Sequence, residues 1–137
     1  MRTRLETSES GENNFKTSPG AVYDVDFIVC YLLVKHELED KSGNLRARLW
    51  RLAGEGLLDK TDAAALDHAA ELMRTIEHVV RLVGGKARKS ALATEYARGI
   101  TAQLTGDILG REFPEGVEIE LKRTKQAVRE IYERVLR

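Results

Sequence analysis

Two aspartates separated by one residue, Asp24-Val25-Asp26, are the first place in this chain where chemistry could sit. Paired carboxylates at that spacing hold divalent metal in enzymes that transfer nucleotidyl groups, provided a backbone cradle for the triphosphate stands nearby. The secondary structure decides whether they can. On a strand, side chains two apart share a face and could clasp one ion. On a helix they diverge by about 200° and cannot. No Gly-Ser motif followed by paired aspartates on a strand is present elsewhere in the sequence. The helical reading therefore assigns no metal and no catalytic residue to the pair, and charge compensation at a helix start is its simpler role.

The other chemical candidates are weaker. Glu77, His78 and Arg81 stand within about one helical turn, so His78 and Arg81 could present to a partner or a phosphate. The structural reading, an i,i+4 Glu77–Arg81 ion pair on a solvated face, is favoured. His36-Glu37 opens like a zinc-protease motif but lacks the second histidine. The single cysteine, Cys30, lies inside the apolar run Phe27–Val34, where core packing is the expectation. Lys86, Arg88 and Lys89 form a basic loop suited to a helix C-terminus.

Composition narrows the classes. The chain has 137 residues, 42% hydrophobic and 32% charged, with 22 Lys+Arg against 22 Asp+Glu. Zero net charge argues against a dedicated nucleic-acid binder. The apolar run is too short to span a bilayer, no signal peptide is evident, and the expected location is cytoplasmic.

Five helical segments must position these residues. Residues 1–14 read as a flexible linker or N-terminal tail, and 15–137 as one helical domain. Ser18 is an N-cap candidate with Pro19 as first helical residue, predicting a helix over 19–39; a buried strand over 27–34 competes. Residues 40–44 break the chain. Asn44 caps a predicted helix over 45–54, which stops at Gly54 and Gly56, with Leu57 and Leu58 folding back onto its last turn. Asp59 caps a strongly periodic helix over 60–83. Ser90 begins a fourth, about 91–110, with Leu92, Tyr96, Ile100, Leu104 and Ile108 as its apolar stripe. A fifth spans 117–136. The expected fold is all-α, a four- to five-helix up-and-down bundle.

Several of these residues carry a family resemblance. Lys16, Gly20, Val22, Asp24, Val25, Asp26, Phe27, Val29, Tyr31 and Leu32 match the segment that follows the catalytic domain in glutamine synthetase adenylyltransferases. A second block running from Leu49 through Gly56, Leu57, Leu58, Asp62, Ala63, Arg74, Glu77, His78 and Arg81 to Leu82 is similar to the same family. So is the closing REIYERVLR. Ser18, Ala21, Tyr23 and Asp26 depart from the family pattern. The resemblance covers the chain from about Phe15 onward and implies the helical domain associated with a nucleotidyltransferase domain. It implies that the chain alone is not catalytic and supports AMP transfer to, or removal from, glutamine synthetase. ATP and Mg2+ are implied for the full-length family, with none for this chain alone. The implied partners are a nucleotidyltransferase domain, in cis or in trans, and glutamine synthetase or the PII protein. Lys16, Gly20, Asp24, Asp26, Glu77, His78 and Arg81 are the residues expected to face the catalytic domain or a partner. A helical domain of a PII uridylyltransferase-like protein and a stand-alone adaptor bundle are the alternatives.

Overall fold

The computed structural model describes residues 19–40, 43–84 and 94–137. They form five helices: α1 (Val22–Lys35), α2 (Leu45–Gly54), α3 (Lys60–Gly84), α4 (Glu95–Leu109) and α5 (Val117–Leu136). No strand occurs among the described residues, so the apolar run is helical and the fold is an all-α bundle. The tail 1–14, Ser18 and the basic loop 86–89 lie outside the described residues.

Local chemistry sets most of the helix ends. The Asn44 side chain accepts from the N–H groups of Arg46 (2.9 Å) and Ala47 (3.4 Å), capping α2 where expected. At the other end of α2, Leu57 N–H reaches Leu52 O and Gly56 N–H reaches Ala53 O. This paired closure folds Leu57 back onto the last turn. Asp59 accepts from Thr61 N–H at 2.8 Å ahead of α3.

Two boundaries differ from expectation. α1 is shorter at both ends than the span 19–39. Pro19 and Gly20 form a turn, Ala21 is extended, and Val22 is the first helical residue. At the far end, Glu37 takes a left-handed backbone (φ 54°), and Leu38 N–H bonds Leu33 O. A non-glycine residue thus supplies the closure usually made by glycine. α4 begins at Glu95 rather than about residue 91, because Thr94 Oγ1 accepts from Ala97 N–H at 3.1 Å. The proposed cap Ser90 is outside the described residues.

α3 is the central helix and touches the other four. Its Leu66, Met73, Ile76 and Val80 are fully buried, facing Val25 and Ile28 of α1, Leu49 and Leu52 of α2, and Val128 and Ile131 of α5 in one core. Each such side chain stabilises the fold by about 1.5–3 kcal/mol on burial. α1 and α5 run side by side in the same direction, since Gly20 meets Lys125, Asp24 meets Arg129 and Phe27 meets Tyr132. α5 and α3 are antiparallel: Arg134 in the last turn of α5 pairs with Asp62 in the first turn of α3 at 2.6 Å.

Candidate functional site

The Pro19-Gly20-Ala21 turn is built for contact with α5. Gly20 has φ +79°, a region that side-chain-bearing residues avoid. A Cβ placed there would lie 1.9 Å from the carbonyl oxygen of Lys125 and 2.8 Å from its Cα. The backbone of the turn therefore rests directly on the backbone of α5, and only glycine fits.

Asp24 completes this joint. Its side chain is wholly buried, and Oδ2 accepts from Gly20 N–H at 2.6 Å and from Arg129 Nη1 at 3.3 Å. A buried carboxylate requires such partners, and here they come from the turn before α1 and from α5. Arg129 is held in turn by Glu133 at 3.4 Å, and its guanidinium lies 4.5 Å from the Tyr132 ring centre. Tyr132 meets Phe27 at 5.9 Å between ring centres. Gly20, Asp24, Arg129, Tyr132 and Phe27 form one continuous seam joining α1 to α5.

Asp26 points elsewhere, as a helix requires of a residue two positions on. It is half-buried, and burial pushes its carboxyl above the ordinary value of 3.8, opposed first by Arg74 of α3 and then by Arg48 of α2. Each aspartate thus looks toward guanidinium groups on opposite sides of α1. A divalent cation does not fit this pair. Asp24 is enclosed and paired, the flanking arginines repel a cation, and no group of three His, Cys, Asp or Glu suited to a metal ion occurs among the described residues.

Glu77 and Arg81 form the expected i,i+4 ion pair at 2.9 Å, while His78 is exposed beside them. They sit near the C-terminal end of α3, apart from the Gly20–Asp24 turn. Of the predicted site residues the structure therefore joins Gly20 to Asp24, sends Asp26 to the α2–α3 side, and leaves Glu77, His78 and Arg81 as a separate group. Lys16 lies outside the described residues.

Two apolar expectations are corrected. Cys30 is exposed instead of core-packed. It falls on an outward stripe of α1 with Tyr23 (40% exposed), Phe27 (42%) and Val34 (78%), at steps of four, three and four residues. α1 is apolar on nearly all sides, and the bundle covers only part of it. On α4 the expected core stripe faces outward as well, with Tyr96, Leu104 and Ile108 exposed. Thr101 and Thr105 take the buried positions instead, because small residues permit close approach to α3.

Sequence reasoning missed Arg129 and Lys125, the α5 half of the joint, and Arg48. Nothing local marks them: Lys125 and Arg129 lie about a hundred residues from the turn they meet, and Arg48 acts on Asp26 from a different helix. The signal that could have shown the outward stripe on α1 is the heptad-like spacing of Tyr23, Phe27, Cys30 and Val34.

The sequence model of the family described as GlnD PII-uridylyltransferase matches residues 2–136. The chain is also similar to bifunctional glutamine synthetase adenylyltransferase/adenylyl-removing enzymes. It is 34% identical to that of Chromobacterium violaceum over 107 residues, 72% of this chain and 12% of the relative. Against that of Streptomyces avermitilis it is 34% identical over 87 residues, 61% of this chain and 8% of the relative. Against that of Streptomyces coelicolor the identity is 36% over 74 residues, 52% of this chain and 7% of the relative. The chain therefore spans about a tenth of the length of these relatives.

Proposed function

The chain belongs to the GlnD PII-uridylyltransferase family, and on that premise we propose that it works as a non-catalytic helical domain of a glutamine synthetase adenylyltransferase-like protein. In that role it supports AMP transfer to glutamine synthetase, or AMP removal, by presenting the protein substrate or relaying regulation. One observation carries the reading: the acidic, glycine-containing turn is consumed in joining α1 to α5. Gly20 has no room for a ligand and Asp24 no free face. ATP and Mg2+ belong to a nucleotidyltransferase domain, acting in cis or in trans, and not to the residues of this chain.

The outward stripe Tyr23, Phe27 and Val34, continued by Tyr132, is the face we assign to that domain, because an apolar helix face left bare is an interaction surface. His78 and Arg81, exposed on α3, are assigned to contact with the protein substrate. A pull-down with the tagged chain tests the assignment. Glutamine synthetase is retained and PII is not, and His78→Ala with Arg81→Ala weakens retention. Retention of neither protein, or retention indifferent to both substitutions, refutes it.

The match to the uridylyltransferase family model favours a second reading, the helical domain of a PII uridylyltransferase-like protein. Its signature in the same experiment is retention of PII alone.

A further inference from the structure

α4 carries two stripes that each repeat every four residues and are offset from one another by a single residue. Ala97, Thr101, Thr105 and Leu109 face inward, with Thr101 and Thr105 fully buried. Of the second stripe, Tyr96 (79%), Leu104 and Ile108 (57%) are exposed and Ile100 is half-buried. This is the reverse of the partition that solvent favours, since two hydroxyls are inside and large apolar groups are outside. Among the described residues, neither Thr101 Oγ1 nor Thr105 Oγ1 has a hydrogen-bond partner. Buried hydroxyls nearly always have one, so two orphans on one helix face call for a reason. α5 instead buries mainly large apolar residues, Leu121, Val128 and Ile131, with Lys125 the polar residue among them.

We propose that α4 is a two-register helix. One residue on a helix is a turn of about 100°, so rotating α4 by one residue brings each residue of the outer stripe to the place of the inner residue that follows it. Tyr96, Ile100, Leu104 and Ile108 then replace Ala97, Thr101, Thr105 and Leu109 against the bundle, and Thr101 and Thr105 move from buried positions to the half-buried places of Ala102 and Gly106, at the edge of the solvent. The surroundings permit this. Among the described helices α4 touches only α3 and α5, so turning disturbs no contact with α1 or α2. Its link to α5 runs through Gly110 (φ 68°) and Gly116 (φ 91°), two pivots beside a helix whose own N-cap, Gly116, makes no side-chain bond. The larger stripe requires α4 to move outward from α3 as it turns. The register described here is held by close packing of small residues, and the other by burial of the apolar stripe. Interfaces with two discrete packings of this kind act as switches.

Thiol labelling tests the exchange. The background is Cys30→Ser, because Cys30 is exposed and would react. In it, the thiol introduced by Thr105→Cys is buried in the register described and partly open to solvent, at the place of Gly106, in the other. It should label under native conditions, and adding Ile100→Ser and Leu104→Ser should slow that labelling at least fivefold by removing the reason to turn. Thr101→Val, which removes an orphan hydroxyl without changing shape, should slow it too. Circular dichroism confirms that each variant is folded. Complete protection of the Thr105→Cys thiol overturns the proposal. So does labelling that is unchanged or accelerated by the serine substitutions, which is the behaviour of simple local unfolding.

Discussion

Replacing Gly20 with alanine is the most informative perturbation of this domain. Alanine at a left-handed backbone position costs about 1–2 kcal/mol before any contact is considered. The new Cβ would also stand 1.9 Å from Lys125 O and 2.5 Å from Lys125 C, both backbone atoms that no rotamer change can clear. Relief requires the turn to lift from α5, which loosens the hydrogen bond from Gly20 N–H to Asp24. Forced overpacking of this kind adds about 1–3 kcal/mol. The expected total is about 2–5 kcal/mol, a large share of the roughly 5–15 kcal/mol typical of a whole domain. Gly110→Ala is the matched control. It has a similar backbone (φ 68°) but nothing within 4 Å of the added Cβ, so it should cost only about 1–2 kcal/mol. Urea denaturation of both variants, followed by far-UV circular dichroism, gives the comparison. If Gly20→Ala costs no more than Gly110→Ala, the backbone contact does not hold α1 to α5 and the reasoning fails.

Asp24→Ala leaves Gly20 N–H and Arg129 without their acceptor, and because Arg129 is one-third exposed the loss should be near the low end of a broken buried pair, about 3 kcal/mol. Asp24→Asn keeps an acceptor for Gly20 and should cost clearly less in the same urea titration. Asp26 has the opposite sign: its raised folded value means the carboxyl favours folding below about 3.8, and that contribution is lost as pH rises through the folded value. Asp26→Asn, facing Arg74 and Arg48, should therefore melt higher than the parent at neutral pH, with the gap closing in acid. Asn44→Ala removes the acceptor for two N–H groups at the start of α2 and should cost about 1 kcal/mol by the same denaturation.

The parts of the fold set by local chemistry were readable in the sequence. Asn44, Asp59 and Gly56 act on residues within three positions, and the bounds of α2 follow from its cap and those of α5 from its apolar period. The limits of α1 were not readable, because its start depends on a contact between Gly20 and α5 far along the chain, and its end on an unusual left-handed glutamate. The inward face of α4 was misjudged for a related reason. Hydrophobicity selects Ile100 and Leu104, whereas close approach to α3 selects the smaller Thr101 and Thr105. For the site, periodicity separated Asp24 from Asp26 and so removed the metal-pair reading. That Asp24 is structural depended on Arg129, which no local pattern connects to it.

The central claim is that this domain supports nucleotidyl transfer without performing it. The most direct measurement incubates the chain with radiolabelled ATP, Mg2+ and glutamine synthetase, beside a full-length adenylyltransferase as positive control. No label should appear on glutamine synthetase from the chain alone, while the full-length enzyme transfers it. Label transferred by the chain alone, and lost on Asp24→Asn or Asp26→Asn in a folded variant, would contradict it.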